Sequence, residues 1–568
     1  MRLLHTNKPN ALELVEVSEE FAPKYAILSH TWGREEVTFQ DIQAFGRRRW
    51  SQTVSQTVST IRTKTGFAKI QKAAALAAEH GYDFVWVDTC CIDKTSSAEL
   101  SEAINSMFRW YKKAAICYAY MEDVENGSHD SKAGSFRLLC QHSRWFTRGW
   151  TLQELIAPED VMFYGKDWCY LGSKAHDEDV RISLAKITGI DARVLEAIVP
   201  PGEISIAARM KWASRRKTTR LEDAAYCLMG LFDVNMPLLY GEGTKAFIRL
   251  QEEILKGSND HSIFTWRVPE YSHNEALSGL LAESPQHFTD AGNYRPMPPS
   301  VSQGSTTWTM TNQGLRLSLF LLPSRGLNGN EIQDEYDAVV ECIARGETTY
   351  QSPAIRMRRL YGDQFARVDP HLVKCVTTPP FGPSHNIGSY EIIFVKQKPV
   401  YAVPDFMVSY MNTSILPYSR HFGEPCFIKE VWPEQNWDKE AAILRTTRPR
   451  SNQTTGLFRF VAPLDAIAID VAIGFRKEAG GAWAAWHLQR RSTGEPIRET
   501  ALSVNRDLSL MNKNVQQPTM SPDAVYLSEH ELKNIGMKVA VEEIKVHGRL
   551  YYLIEARYFG QRDSKLTR

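Results

Sequence analysis

The chain has no CxxC pair among its nine cysteines, no GxxxxGK[ST] loop, almost no net charge and no unbroken apolar run long enough to cross a bilayer. Scattered cysteines, odd in number, argue against a disulfide framework and fit small buried hydrophobes in a reducing compartment. Cys and His also lack ligand spacing, so no metal site is expected. Without the phosphate loop the chain does not read as a P-loop NTPase. The nearest candidate, YGEGTKAF at 240–247, has the wrong spacing and reads as a glycine turn that opens a helix. Lys+Arg at 67 against Asp+Glu at 66 leaves +1, so no global field recruits nucleic acid or an anionic membrane. The basic run RMKWASRRKTTR (209–220) is followed by Glu222 and Asp223 and reads as a solvated, internally paired face. The most apolar stretch, Leu457 to Phe475, is broken by Arg459, Asp465 and Asp470, which makes it strand-like. MRLLHTNKPN lacks the apolar core of a leader, so a cytoplasmic protein is expected.

What is present is the composition of a folded protein: 568 residues, 43% hydrophobic and 23% charged, enough for two to four domains. After a short hairpin-like start, apolar runs and helical periodicities alternate. YAILS (25–29), FVWV (84–87), AICYAYM (115–121) and VMFYG (161–165) read as strands. Phe67, Ile70, Ala74 and Ala77 recur at helical spacing up to Gly81, and Ser96 with Glu99 forms a capping box that opens a second helix. The alternation predicts a parallel sheet wound by helices, with ligands at the carboxyl ends of the strands. Ser29, His30, Asp88 and Asp93 gather at those ends. A helical extension follows over 176–265, and strand-like runs between Pro, Gly and Asn fill two β-rich, sandwich-like domains at 266–433 and 434–568.

Three segments, YAILSHTWG (25–33), VWVDTCCIDK (85–94) and SRWFTRGWTLQELIAP (143–158), resemble in order and spacing the HET (heterokaryon incompatibility) family of filamentous fungi. ASRRKTTRLEDAAYCLMGLFDVNMPLLYGEG (213–243) resembles the helical region that follows that domain. The resemblance implies non-self recognition ending in programmed cell death, with self-association and other incompatibility proteins as partners, and it places the domain at 1–175. HET domains are similar to TIR domains, which implies a TIR/flavodoxin-like α/β sheet and NAD as a substrate, with no resident cofactor. TIR enzymes carry a glutamate on a short helix in a W-x-x-x-E-L-like setting. Trp150 to Leu155 reproduces it, which makes Glu154 the catalytic candidate. A carboxylate there can stabilise oxocarbenium character at the ribose, as in glycoside hydrolysis. Trp32, Trp145 or Trp150 could stack on a ring of the ligand, and Ser29 and His30 could bind phosphate or ribose.

Competing readings stand beside these. Thr151 to Glu154 is itself a T-x-x-E capping box, so Glu154 could cap its own helix. Cys90 with His30 could form a thiol–base pair, with Cys90 and Cys91 alternating on a strand. Asp88 and Asp93 could pair with Arg144 or Arg148. The alternatives for the whole protein are a non-catalytic interaction module and a regulatory HET protein associated with a metabolic pathway.

Overall fold

The computed structural model describes residues 1–7, 12–46, 52–125, 136–269, 277–291, 294–297, 307–325, 331–344, 351–361, 363–377 and 388–399. Beyond 400 it describes the strands and one short helix between Asp405 and Tyr558. The chain divides into two compact units, Met1–Arg358 with Phe365–Pro399, and Arg359–Gln364 with Val400–Arg568.

The first unit opens on a mixed sheet of seven strands: β1 (Arg2–His5), β2 (Leu14–Glu16), β3 (Ala26–His30), β4 (Phe84–Val87), β5 (Ile116–Tyr120), β6 (Val161–Tyr164) and β7 (Tyr170–Ser173). Their order is β2-β1-β4-β3-β5-β6-β7. The four central strands are parallel, as the apolar runs predict, each within a residue or two of its expected bounds. All five residues of β3 are buried, which explains a run with no polar alternation before Ser29. The edges were not foreseen as part of this sheet. The β1–β2 hairpin joins β4 antiparallel, and β7 returns antiparallel on β6.

Between β3 and β4 lie α1 (Phe39–Gly46), α2 (Gln52–Thr63) and α3 (Thr65–Glu79). The predicted stripe Phe67, Ile70, Ala74 and Ala77 is buried in α3, and Gly81 ends the turn at φ +80°. Between β4 and β5 lie α4 (Asp88–Cys91) and α5 (Ser97–Lys113). The Ser96 side chain accepts from the Glu99 amide at 3.3 Å, the first half of the capping box. The Glu99 carboxylate instead takes the Asp93 amide and Arg2. Between β5 and β6 come α6 (Phe136–Cys140) and α7 (Thr151–Ile156). Right-handed crossovers with this strand order place α3 on one face of the sheet and α5 with α7 on the other. The order reverses between β3 and β5, which is where open parallel sheets hold ligands.

The helical region, α8 (Glu178–Thr188) to α13 (Lys245–Gly257), shares one apolar core with the sheet and with the strands that follow. Its basic run is a solvated face only in part, with Lys211, Arg215, Lys217 and Arg220 exposed. Arg209 and Arg216 are buried, and Arg209 lies 4.4 Å over the Phe232 ring while donating to the Leu231 carbonyl. The Gly241–Gly243 turn does open α13, both glycines having positive φ, and its two amides converge on the Glu222 carboxylate at 2.8 and 3.0 Å. The first unit closes on an antiparallel sheet around Gly314–Arg325, paired with Glu331–Val339 and Ser389–Val395. The second unit is β-rich by itself. It holds a meander of Phe427–Trp432, Thr454–Val461, Ala468–Phe475 and Ala482–Gln489, and a sheet containing the hairpin Met537–Val546/Arg549–Tyr558. No helix among the described residues is long and apolar enough to cross a membrane.

Candidate functional site

Ser29 and His30 are the last residues of β3, so their side chains leave on opposite faces of the sheet. On the α5/α7 face the Ser29 hydroxyl donates to the Glu154 carboxyl and accepts from the Trp145 indole at 2.8 Å. On the α3 face both nitrogens of the buried His30 ring lack a hydrogen-bond partner. Nδ1 lies 3.9 Å from Asp88 and Nε2 lies 3.7 Å from Glu36. Burial raises the Glu36 carboxyl, but His30 and Lys69 outweigh it and hold the group well below the usual range. Asp88 opens α4 at the end of β4 and accepts from the Trp32 indole at 2.8 Å. Trp32 is 47% exposed, with Lys94 3.4 Å from the centre of its ring.

The expected residues therefore gather as two neighbouring groups at the carboxyl edge: Ser29 with Glu154, and His30 with Asp88 and Trp32. Asp93 and Trp150 join neither. Asp93 accepts from the amide and hydroxyl of Thr95 and from Gln40, and the Trp150 indole reaches toward Asp223 in the helical region. Neither Asp88 nor Asp93 pairs with Arg144 or Arg148 among the described residues; the Arg148 guanidinium donates to Thr219.

The capping-box reading of Glu154 fails for a geometric reason. Thr151 lies inside α7 with Trp150 as N-cap, and its hydroxyl donates to the Trp145 and Arg148 carbonyls instead of capping. The Glu154 carboxyl is thus free for Ser29. It is fully enclosed, and burial pushes it up to about 8; Asp88 adds to the rise, whereas Ser29, Arg216 and Tyr111 oppose it. In this closed arrangement burial favours the neutral form of Glu154. The thiol reading fails as well. Cys90 and Cys91 sit on α4, not on a strand, both are buried, and burial drives the Cys90 thiol far up.

Two buried cations that sequence reasoning missed clamp α7. At its start Arg216 donates to the Arg148 carbonyl and the Thr151 hydroxyl, both at 2.9 Å. At its end Lys174 donates to the Leu155 and Pro158 carbonyls, and burial lowers its ammonium to about 8. In sequence Arg216 falls in the basic run at 209–220, and nothing singles out Lys174. Gly149 explains itself here: a Cβ would stand 2.5 Å from Thr218, where the chain before α7 bonds to Lys217. Lys174→Met should cost about 2–3 kcal/mol by leaving two buried carbonyls unpaired, read as a lower denaturation midpoint.

Residues 25–142 match the family model described as Heterokaryon incompatibility protein (HET), and residues 245–340 match one described as Domain of unknown function (DUF8212). The first window contains Ser29, His30, Trp32, Asp88 and Asp93; Trp150 and Glu154 lie just beyond it. The chain is 44% identical over 271 residues to "Vegetative incompatibility protein HET-E-1" of Podospora anserina. That overlap covers 46% of this chain and 18% of the relative, so the chain spans less than a fifth of that protein's length. No solved structure matches. Residues 25–142 are therefore similar to the HET family, and a stretch of 271 residues of this chain is similar to a vegetative incompatibility protein.

Proposed function

We propose that this chain acts in heterokaryon incompatibility, as a non-self recognition protein whose 1–175 segment is the signalling module. In this reading the module is TIR-like, self-associates when activated, and ends in cell death by cleaving NAD, while the β-rich, sandwich-like half recognises other incompatibility proteins. The observation that carries the chemistry is the Ser29–Glu154 hydrogen bond at the point where the strand order reverses. There the C1′–N bond between ribose and nicotinamide would break, its electron pair going to the pyridinium nitrogen. Water would then add to C1′ and release a proton. Glu154, once ionised, would stabilise the positive charge that develops on the ribose, and the exposed Trp32 would stack on a ring. The pyridinium charge itself favours the ionised carboxylate, so substrate entry and activation of Glu154 support each other.

A second reading is favoured by the enclosure of Glu154, only 7% exposed: the domain recruits partners and turns nothing over. Expression of the full chain in cells separates the two. Cellular NAD should fall several-fold with the wild type and stay level with Glu154→Gln. Toxicity with unchanged NAD, equal in both variants, would favour recruitment.

A further inference from the structure

A buried guanidinium with no ion-pair partner is a costly feature, and the first unit keeps one beside its site. Arg216 is 5% exposed, forms no salt bridge among the described residues, and leaves Nη2 without a hydrogen-bond partner. We propose that Arg216 is a positioning residue for Glu154, passing to it the packing of the helical region and of the turn at Pro285–Phe288.

The connection is continuous. Gln286 in that turn donates to the Arg216 carbonyl at 3.4 Å, and α10 (Ile206–Ala213) packs against the same turn. The Arg216 guanidinium then donates to Thr151, whose hydroxyl donates to the Trp145 carbonyl. The Trp145 indole donates to Ser29, and Ser29 to Glu154. The seam is closed by paired backbone bonds, Gly149 to the Lys217 carbonyl at 3.0 Å and Lys217 to the Thr147 carbonyl at 2.6 Å. Movement of this segment therefore shifts a positive charge and one end of the Glu154 helix together. The other groups facing Glu154 are Asp88 from α4 and Tyr111 from α5, with Cys117 from β5 and Cys227 from the helical region. Of these, Asp88 disfavours its ionisation and Tyr111 favours it, and Arg216 supports it as a cation.

The inference rests on the reading above only in naming Glu154 as the group served, and its readout needs no turnover. In the full-length protein labelled with ¹³C at glutamate carboxyls, the Glu154 signal is the one missing from Glu154→Gln. Arg216→Gln keeps hydrogen-bonding capacity and removes the charge, and should raise the Glu154 midpoint by about one pH unit or more, a tenfold change in its ionisation equilibrium. Arg216→Lys keeps the charge and should leave the midpoint within about half a unit. A folded Arg216→Gln with an unmoved or lowered midpoint overturns the inference. If that variant does not fold, a Lys variant whose midpoint rises by a full unit overturns it equally. Absence of nicotinamide release, by contrast, bears on the proposed reaction and leaves this result standing.

Discussion

Between pH 5 and pH 8 the wild-type protein should lose stability that Glu154→Gln does not lose. Burial raises the Glu154 carboxyl from 4.5 to about 8 in the folded state. Across that window the folded chain holds a proton that the unfolded chain releases. The stability is therefore fully present below about pH 4.5 and is lost as pH rises toward 8. The shift corresponds to a loss on the order of 4 kcal/mol by pH 8. Gln keeps the size and a hydrogen-bonding group, so the variant should be nearly pH-independent at this site and the more stable protein at pH 8. Lys174 works in the opposite direction above about 8, because its lowered ammonium favours folding as pH rises. The comparison should for that reason be the difference between wild type and variant, measured by denaturant unfolding from pH 5 to 8. A constant difference across the window would show that Glu154 is ionised in the resting protein.

The second large effect lies away from the site. Arg367 is fully buried, donates to the Phe264 carbonyl at 3.0 Å and the Trp266 carbonyl at 2.6 Å, and stacks 4.0 Å over the Trp266 ring. Burial and the neighbouring Arg267 bring its guanidinium down to about 9, still a cation at pH 7. It ties the strands of the first unit to the end of the helical region. Arg367→Ala should cost about 3–5 kcal/mol, combining two unpaired carbonyls with a cavity beside Trp266. Arg367→Met, which fills most of that space, should recover about half. Equal and small losses for both would mean that the two carbonyls find other partners. Calorimetry of the full chain reads both.

The central strands were legible in the sequence because buried parallel strands are short, unbroken apolar runs, as in AILSH and FVWV. The α3 stripe and the Ser96 cap followed from spacing alone. The N-terminal hairpin was legible but not its place in the sheet, and Tyr170–Ser173 is too short and mixed to carry a period. Local rules failed where tertiary partners took over. Thr151 and Glu154 satisfy a capping pattern, yet Arg216 and Ser29 claim their side chains. Arg216 and Lys174 could not have been picked out, since only burial distinguishes a helix clamp from a solvated cation. Of the site, the residue types at the strand ends were readable. The alternation that sends Ser29 and His30 to opposite faces was implicit in their adjacency.

Nicotinamide release by the purified full-length protein tests the central claim most directly. At high protein concentration with NAD present, the wild type should release nicotinamide, faster at pH 8.5 than at pH 6.5 as Glu154 ionises. Glu154→Gln should lower the rate by about 100-fold or more while remaining folded. Release by the Gln variant at the wild-type rate, or no release by the wild type at any pH and concentration tested, would contradict it.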